Sequence, residues 1–243
     1  MRIKEVYDIS VPLTKRKEEK MNFWVSLAVR PLSVFLTAPL VNTKVKPITI
    51  TKLSILFLVA GFILVSLNLN IFASIGGWFC FFVWAILDGV DGNLARCQGT
   101  CSSLGDLWDT MGGYAAMVLI YYSAGIASFL DKSPALDFFK QYSYLLLVIG
   151  GLTSVFSIFP RLILHKKKSS NVDSESVKSI SDKKNYSFSK IIAMNLVSPS
   201  GFMQIIFLAC LIFHVLNFFV CFYFVVNLGI MLLSLYSLLR ESR

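Results

Sequence analysis

Trp84-Ala85-Ile86-Leu87-Asp88-Gly89-Val90-Asp91-Gly92-Asn93-Leu94-Ala95-Arg96 carries an apolar run into a cluster of charge, and Gly105-Asp106-Leu107-Trp108-Asp109 opens the next apolar run. Four of the chain's 14 acidic residues fall in the 22 positions from Asp88 to Asp109. Ionisable groups at the edge of an apolar span are costly and mark functional sites. On a helix, Asp88, Asp91 and Ala95 stand at i, i+3 and i+7 and share one face, and Asp106 and Asp109 repeat the three-residue spacing on the following helix. That helix is expected to return antiparallel beside the first. Carboxylates converging from two helices repel unless something positive lies between them. With no histidine nearby, a hard divalent cation such as Mg²⁺ or Mn²⁺ suits this oxygen-only set better than zinc. A cation there invites a phosphate ligand. Gly92, Ala95 and Gly105 leave room for close approach to the backbone, and Arg96 offers a positive fork to phosphate oxygens.

Simpler roles for the same residues are helix-end charges and ion pairs. Asp106 suits the positive N-terminus of a helix whether or not it has any chemistry, and Asp88 and Asp91 are candidates for pairing with Arg96 or a lysine.

Outside this stretch the chain reads as a membrane protein. Of 243 residues, 56% are hydrophobic and 15% charged, with mean hydropathy +0.68, against roughly half apolar and a quarter charged in soluble domains. About 20 apolar residues are needed to cross about 30 Å of hydrocarbon, and six stretches qualify: 49–69, 71–95, 105–130, 141–164, 200–216 and 218–239. Thr49 or Thr51 is expected to cap the first, and a tight turn near Asn217 to separate the last two. Met21 to Lys46 is amphipathic and interrupted by Pro31 and Pro39, so an interfacial helix is expected there instead of a seventh span. The fold class is therefore all-α integral membrane, with residues 1–46 as a cytoplasmic N-terminus plus interfacial helix and 47–243 as a six-helix transmembrane domain.

The net charge of +9 is topological. With a cytoplasmic N-terminus, only Lys132 and Lys140 of 23 Lys and Arg lie on the far side. The loop 165–190 concentrates seven lysines, from Lys166 to Lys190, on the near side. The positive-inside rule thus favours cytoplasmic N- and C-termini and an even number of spans. The same loop is serine-rich and polar, a composition that predicts mobility. No basic segment interleaved with aromatics argues for nucleic acid. The five cysteines are odd in number, and the Cys97-x3-Cys101 pair has no further ligand beside it, so free thiols are expected. The first 20 residues lack the apolar core of a signal peptide.

Written as a pattern, the opening stretch is D-x2-D-G-x2-A-R-x8-G-x3-D from Asp88 to Asp109. It resembles the signature of the CDP-alcohol phosphotransferase (CDP-alcohol phosphatidyltransferase) family, with seven residues at matching distances. The resemblance implies a homodimer in the bilayer with divalent metals near the cytoplasmic face. It implies a CDP-alcohol donor whose diphosphate bridges those metals, and an alcohol or lipid acceptor whose hydroxyl displaces CMP in line. Carried over by position, Asp88, Asp91 and Asp109 become metal ligands, and Gly92, Ala95, Arg96 and Gly105 the donor pocket. Arg161, after Pro160, resembles the place where relatives hold an anionic acceptor or phosphate; a plain positive-inside anchor is the other reading.

The family pattern ends in a fourth aspartate, ligand and base, where this chain has Gly113. Asp106 is a candidate to supply a nearby carboxylate, as catalytic group and metal ligand, although it lies one turn on the opposite side of Asp109. A water, the donor phosphate or an acceptor group is a second candidate for taking the proton. The third possibility is a family member that binds CDP-ligand and metal without transfer. Arg30-Pro31-Leu32-Ser33 and Gly112-Gly113-Tyr114 weakly resemble relatives in bacterial surface-glycan synthesis, an alternative to phospholipid synthesis. A prenyltransferase also pairs aspartates on membrane helices but lacks this spacing. His165 and His214 read as isolated, His214 within span five and hydrogen-bonded to a neighbouring helix. Gly112-Gly113 and Gly150-Gly151 are candidates for close helix contact, including a dimer seam.

Overall fold

Away from water a backbone must satisfy its own hydrogen bonds, and a chain of apolar runs does so most simply as helices. The computed structural model describes residues 1–11, 16, 21–131, 136, 138–169 and 195–241, and every regular element among them is helical. These are α1 (Ile3–Ser10), α2 (Arg30–Leu40), α3 (Pro47–Leu67), α4 (Ile71–Gln98), α5 (Ser103–Leu130), the single turn α6 (Phe138–Gln141), α7 (Tyr144–Ser169), α8 (Phe202–Ile212) and α9 (Leu216–Glu241). Most of the expected basic loop, 170–190, lies outside the described residues; its first five positions, 165–169, instead prolong α7.

Five helices (α3, α4, α5, α7 and α9) are long and apolar enough to cross a membrane. The expected span at 200–216 is where the observed structure is shorter. α8 has 11 residues, a rise of about 16 Å and so about half of a hydrocarbon core. It stops because the chain turns at Phe213–Val215, with His214 at φ 55 and the Val215 amide bonded to the Cys210 carbonyl at 2.9 Å. The turn thus precedes Asn217, which is buried within α9. His214 is exposed in that turn, with no side-chain hydrogen bond to a described residue, rather than bonded inside a span.

Polarity is distributed inside out, as a lipid solvent requires. Phe72, Leu69, Leu233 and Val225 are two-thirds or more exposed. Ser54, Ser123, Asn93, Gln204 and Asn227 are buried. Several buried hydroxyls bond carbonyls one turn back, as Ser54 does to Thr51 (2.8 Å) and Ser157 to Ser154 (2.8 Å), which satisfies those donors inside their own helix. Gln204 ties α8 to α4 by donating its side-chain amide to the Phe81 carbonyl (3.3 Å) while its backbone carbonyl accepts from the Trp78 indole (2.8 Å).

Close approach is set by glycine. A Cβ on Gly150 would lie 2.7 Å from the Gly125 Cα, and one on Gly125 2.9 Å from the Gly150 Cα, so α5 and α7 cross backbone to backbone. Gly150 is thereby used within the chain and not at a seam between copies. α3 packs extensively on both α4 and α5, whereas α4 and α5 touch only sparsely. The expected side-by-side return of α5 along α4 is therefore replaced by a wedge, with α3 filling one side of it.

α2 continues a helix that begins as a π turn over Val25–Val29. Pro31 lacks an amide proton and its ring crowds the carbonyl four residues back, and the wider turn just before it relieves both. Ser33, Val34 and Thr37 of α2 are buried, while Leu27 and Phe35 point outward, 75% and 60% exposed. A Cβ on Gly89 would sit 2.9 Å from the Ser33 Cβ, so glycine at 89 lets α2 lie on α4 beside the motif.

Candidate active site

α4 ends where Gly99 takes φ +66 and donates back to Ala95 and Arg96. This left-handed closure suits glycine, which has no Cβ to clash. Three residues later Ser102 caps α5, its hydroxyl accepting from the Gly105 amide at 3.1 Å. The tight turn brings the end of α4 and the start of α5 to one cavity of about 660 Å³. Asp88, Asp91, Gly92, Ala95 and Arg96 of α4, and Gly105, Asp106 and Asp109 of α5, all line it. The eight positions singled out in the motif are thus brought together. Arg161 is not among them. It lines an adjoining cavity of about 670 Å³ that shares Asp88, Asp106 and Asp109 with the first.

The carboxylates differ in setting. Asp91 is buried, 4% exposed, and one of its oxygens accepts from the Thr51 hydroxyl at 2.6 Å. Asp88 is half-buried, within electrostatic reach of Asp91 and Asp109 and of the opposing charge of Arg161. Asp109 is exposed to the cavity and feels Asp106 and Arg96. None of the four pairs with a described cation in a salt bridge, so the expected alternative of simple ion pairing with Arg96 is absent. Arg96 instead donates to Asn93 Oδ1 at 3.0 Å, and its guanidinium lies over Gly92, 3.4 Å from where a Cβ would be.

Several contributors were not visible from spacing alone. Asn93, fully buried, accepts from both Arg96 and Arg30 at 3.0 Å and donates to Ser33 at 3.3 Å. It thereby holds two guanidinium groups at one wall of the cavity. Arg30 comes from α2, 63 positions away, so no local pattern reports it. The expected cap at Thr49 or Thr51 is not found. The cap of α3 is Lys46 with Pro47 following, and Thr51 sits one turn in, on the face toward Asp91. Replacing Asn93 with alanine leaves both arginines without this buried acceptor, a loss of about 1–3 kcal/mol. Affinity for CDP is expected to drop about tenfold or more by isothermal titration, with the fold retained in circular dichroism.

Asp106 is exposed in the first turn of α5, the place where a carboxylate complements the helix dipole. Asp106→Asn is expected to lower turnover less than about fivefold, measured as CMP release. A much larger loss would assign Asp106 to the chemistry.

The donor set is hard oxygen throughout, the class that suits a divalent cation. Among the described residues no three His, Cys, Asp or Glu side chains already form a closed ion-binding group; the carboxylates share a cavity without closing on one point. All five thiols are free. Gly113 lies in the second cavity, its Cβ position 3.6 Å from Arg161 Nη1. Beside it the Tyr114 hydroxyl and His165 Nδ1 are 3.1 Å apart, so His165 is partnered rather than isolated.

Comparison with curated proteins finds no match to the chain. The sequence model of one family, described as CDP-alcohol phosphatidyltransferase, matches residues 44–232. That match takes in α3 to α8 and most of α9, with every residue that lines the first cavity except Arg30. The paired carboxylates at the α4–α5 turn and the match over most of the chain lead to one conclusion: this protein belongs to the CDP-alcohol phosphatidyltransferase family, whose members are membrane transferases acting on CDP-alcohols.

Proposed function

We propose that the protein transfers a phospho-alcohol group from a CDP-alcohol to an acceptor hydroxyl and releases CMP. The observation that carries this reading is the convergence of Asp88, Asp91 and Asp109 from two helices on one cavity walled by Arg30 and Arg96. Divalent metal, Mg²⁺ or Mn²⁺, would be held by Asp88, Asp91 and Asp109, with Asp106 as a further candidate. When bound it supplies positive charge that offsets the donor diphosphate and favours its in-line displacement.

The chain's own residues do the rest. Thr51 orients Asp91, and Asn93 presents Arg30 and Arg96 to phosphate oxygens. The small surfaces of Gly92, Ala95 and Gly105 admit the nucleotide. Arg161, in the adjoining cavity, faces the acceptor side. We assign the cavity and the N-terminus to the cytoplasmic side, from the charge distribution. α2, apolar outward and polar inward, is assigned to the membrane interface, and the working unit is assigned as a homodimer. The donor is either CDP-diacylglycerol or a soluble CDP-alcohol, serving phospholipid or surface-glycan synthesis.

A second reading, binding of CDP-ligand without transfer, is favoured by Gly113, where the family pattern places a carboxylate. Purified protein with Mn²⁺ or Mg²⁺, offered panels of CDP-alcohols and acceptor alcohols, separates the two. Metal-dependent CMP release is expected. CDP binding with no release from any pair would select the second reading.

A further inference from the structure

In-line transfer to an alcohol leaves a proton to be removed, and position 113 has no side chain to take it. The cavity that contains Gly113 holds two groups that the motif does not use. Tyr114 projects from α5 and His165 from α7, 51 positions apart, and their hydroxyl and Nδ1 atoms meet at 3.1 Å. Their rings lie 5.7 Å apart at 57°. Both line the cavity together with Asp88, Asp109, Gly113 and Arg161. Trp84, 2% exposed, lines it too, and its buried indole N–H has no hydrogen-bond partner among the described residues. His165 is exposed at the end of its helix, so a proton reaching it can pass to water.

We propose that Tyr114 and His165 remove the acceptor's proton in place of the carboxylate missing at position 113. Tyr114 Oη takes the proton from the acceptor hydroxyl while its own passes to His165 Nδ1. The electron pair of the broken O–H bond forms the new O–P bond to the phosphorus that bears the donor's alcohol. The P–O bond to CMP breaks, CMP departs with that pair, and the imidazolium of His165 returns its proton to water. Tyr114 is the catalytic residue and His165 a positioning residue that acts through it. This assignment rests on the transferase reading above.

The test uses the full-length protein in detergent with Mn²⁺. The donors are CDP-diacylglycerol and CDP-ethanolamine, and the acceptors are glycerol, glycerol 3-phosphate and inositol. With whichever pair releases CMP, Tyr114→Phe and His165→Gln are expected to lower kcat about 100-fold, with KM and CDP binding unchanged. A Cβ at position 113 meets Arg161 Nη1 only at ordinary contact distance, 3.6 Å, so the first atom of an aspartate side chain meets no clash there and a carboxylate beyond it would have a guanidinium beside it. Gly113→Asp in the His165→Gln background is expected to recover about tenfold or more of the lost turnover, by restoring a base that a structural role for His165 would not need. Wild-type kcat in either single variant, or no recovery on adding Gly113→Asp, overturns the Tyr114–His165 assignment and leaves the transferase reading standing. No CMP release by the wild type from any pair overturns both.

Discussion

Asp91→Asn is expected to abolish CMP release, by at least about 100-fold, while the protein stays folded. Asparagine has nearly the shape of aspartate and keeps a carbonyl oxygen, so the 2.6 Å bond from Thr51 can persist and the Thr51 hydroxyl keeps its acceptor between α3 and α4. What disappears is the negative charge. Loss of a residue that merely orients a metal ligand costs 10–100-fold in affinity or activity, so loss of a ligand's own charge is expected to cost at least the upper end of that range. The measurement is CMP release beside metal-dependent CDP binding, and both should fall together. Retained, still metal-dependent CDP binding would remove Asp91 from the ligand set. Thr51→Val provides the graded companion: Asp91 keeps its charge but loses its orienting donor, and an intermediate loss is expected.

Gly150→Ala is expected to destabilise the fold by about 1–3 kcal/mol, as overpacking of a tight core does, and Gly150→Leu by more. The neighbour that the new Cβ would strike, 2.7 Å away, is the Gly125 Cα. Backbone cannot swing aside as a flexible side chain can, so α5 and α7 must separate along their crossing. The consequence reaches the site, because α5 carries Asp109 and Tyr114 and α7 carries Arg161 and His165. Thermal unfolding in detergent measures the effect. Gly229→Ala is the control, since a Cβ there meets nothing within 4 Å. A helical Gly→Ala change with free space gains about 0.5–1 kcal/mol in propensity, so Gly229→Ala should leave the midpoint unchanged or raise it. Equal destabilisation by the two changes would refute the tight crossing.

These two positions show how differently the sequence reports its own consequences. Asp91 was legible because motif spacing is local. Three and seven residues along a helix return to one face whatever the rest of the chain does, and an acid at the end of an apolar run has few reasons to be there except function. Gly150 was legible only as a small residue fit for close contact. Whether its partner is another helix of the same chain or a second copy depends on how α5 and α7 cross, and no local pattern records that. His165 was obscured in the same way: isolated in sequence, it acquires Tyr114 as a partner only when α7 lies along α5.

Hydropathy alone thus determined that this is an all-helical membrane chain, because apolar length is additive along the sequence and does not wait for packing. The D-x2-D-G-x2-A-R-x8-G-x3-D spacing alone determined that its carboxylates meet at one cavity, because one tight turn suffices to join α4 to α5. Tertiary structure decided what stands around the motif. It ended α8 at 11 residues, placed Thr51 on Asp91 and joined Arg30 to Arg96 through Asn93. It also set Tyr114 and His165 beside the vacant position at Gly113. The end of α8 is a local turn, but the contacts of Thr51 with Asp91, Arg30 with Asn93 and Tyr114 with His165 each join segments dozens of residues apart, fixed by glycine-permitted helix crossings and by the need of buried polar groups for partners.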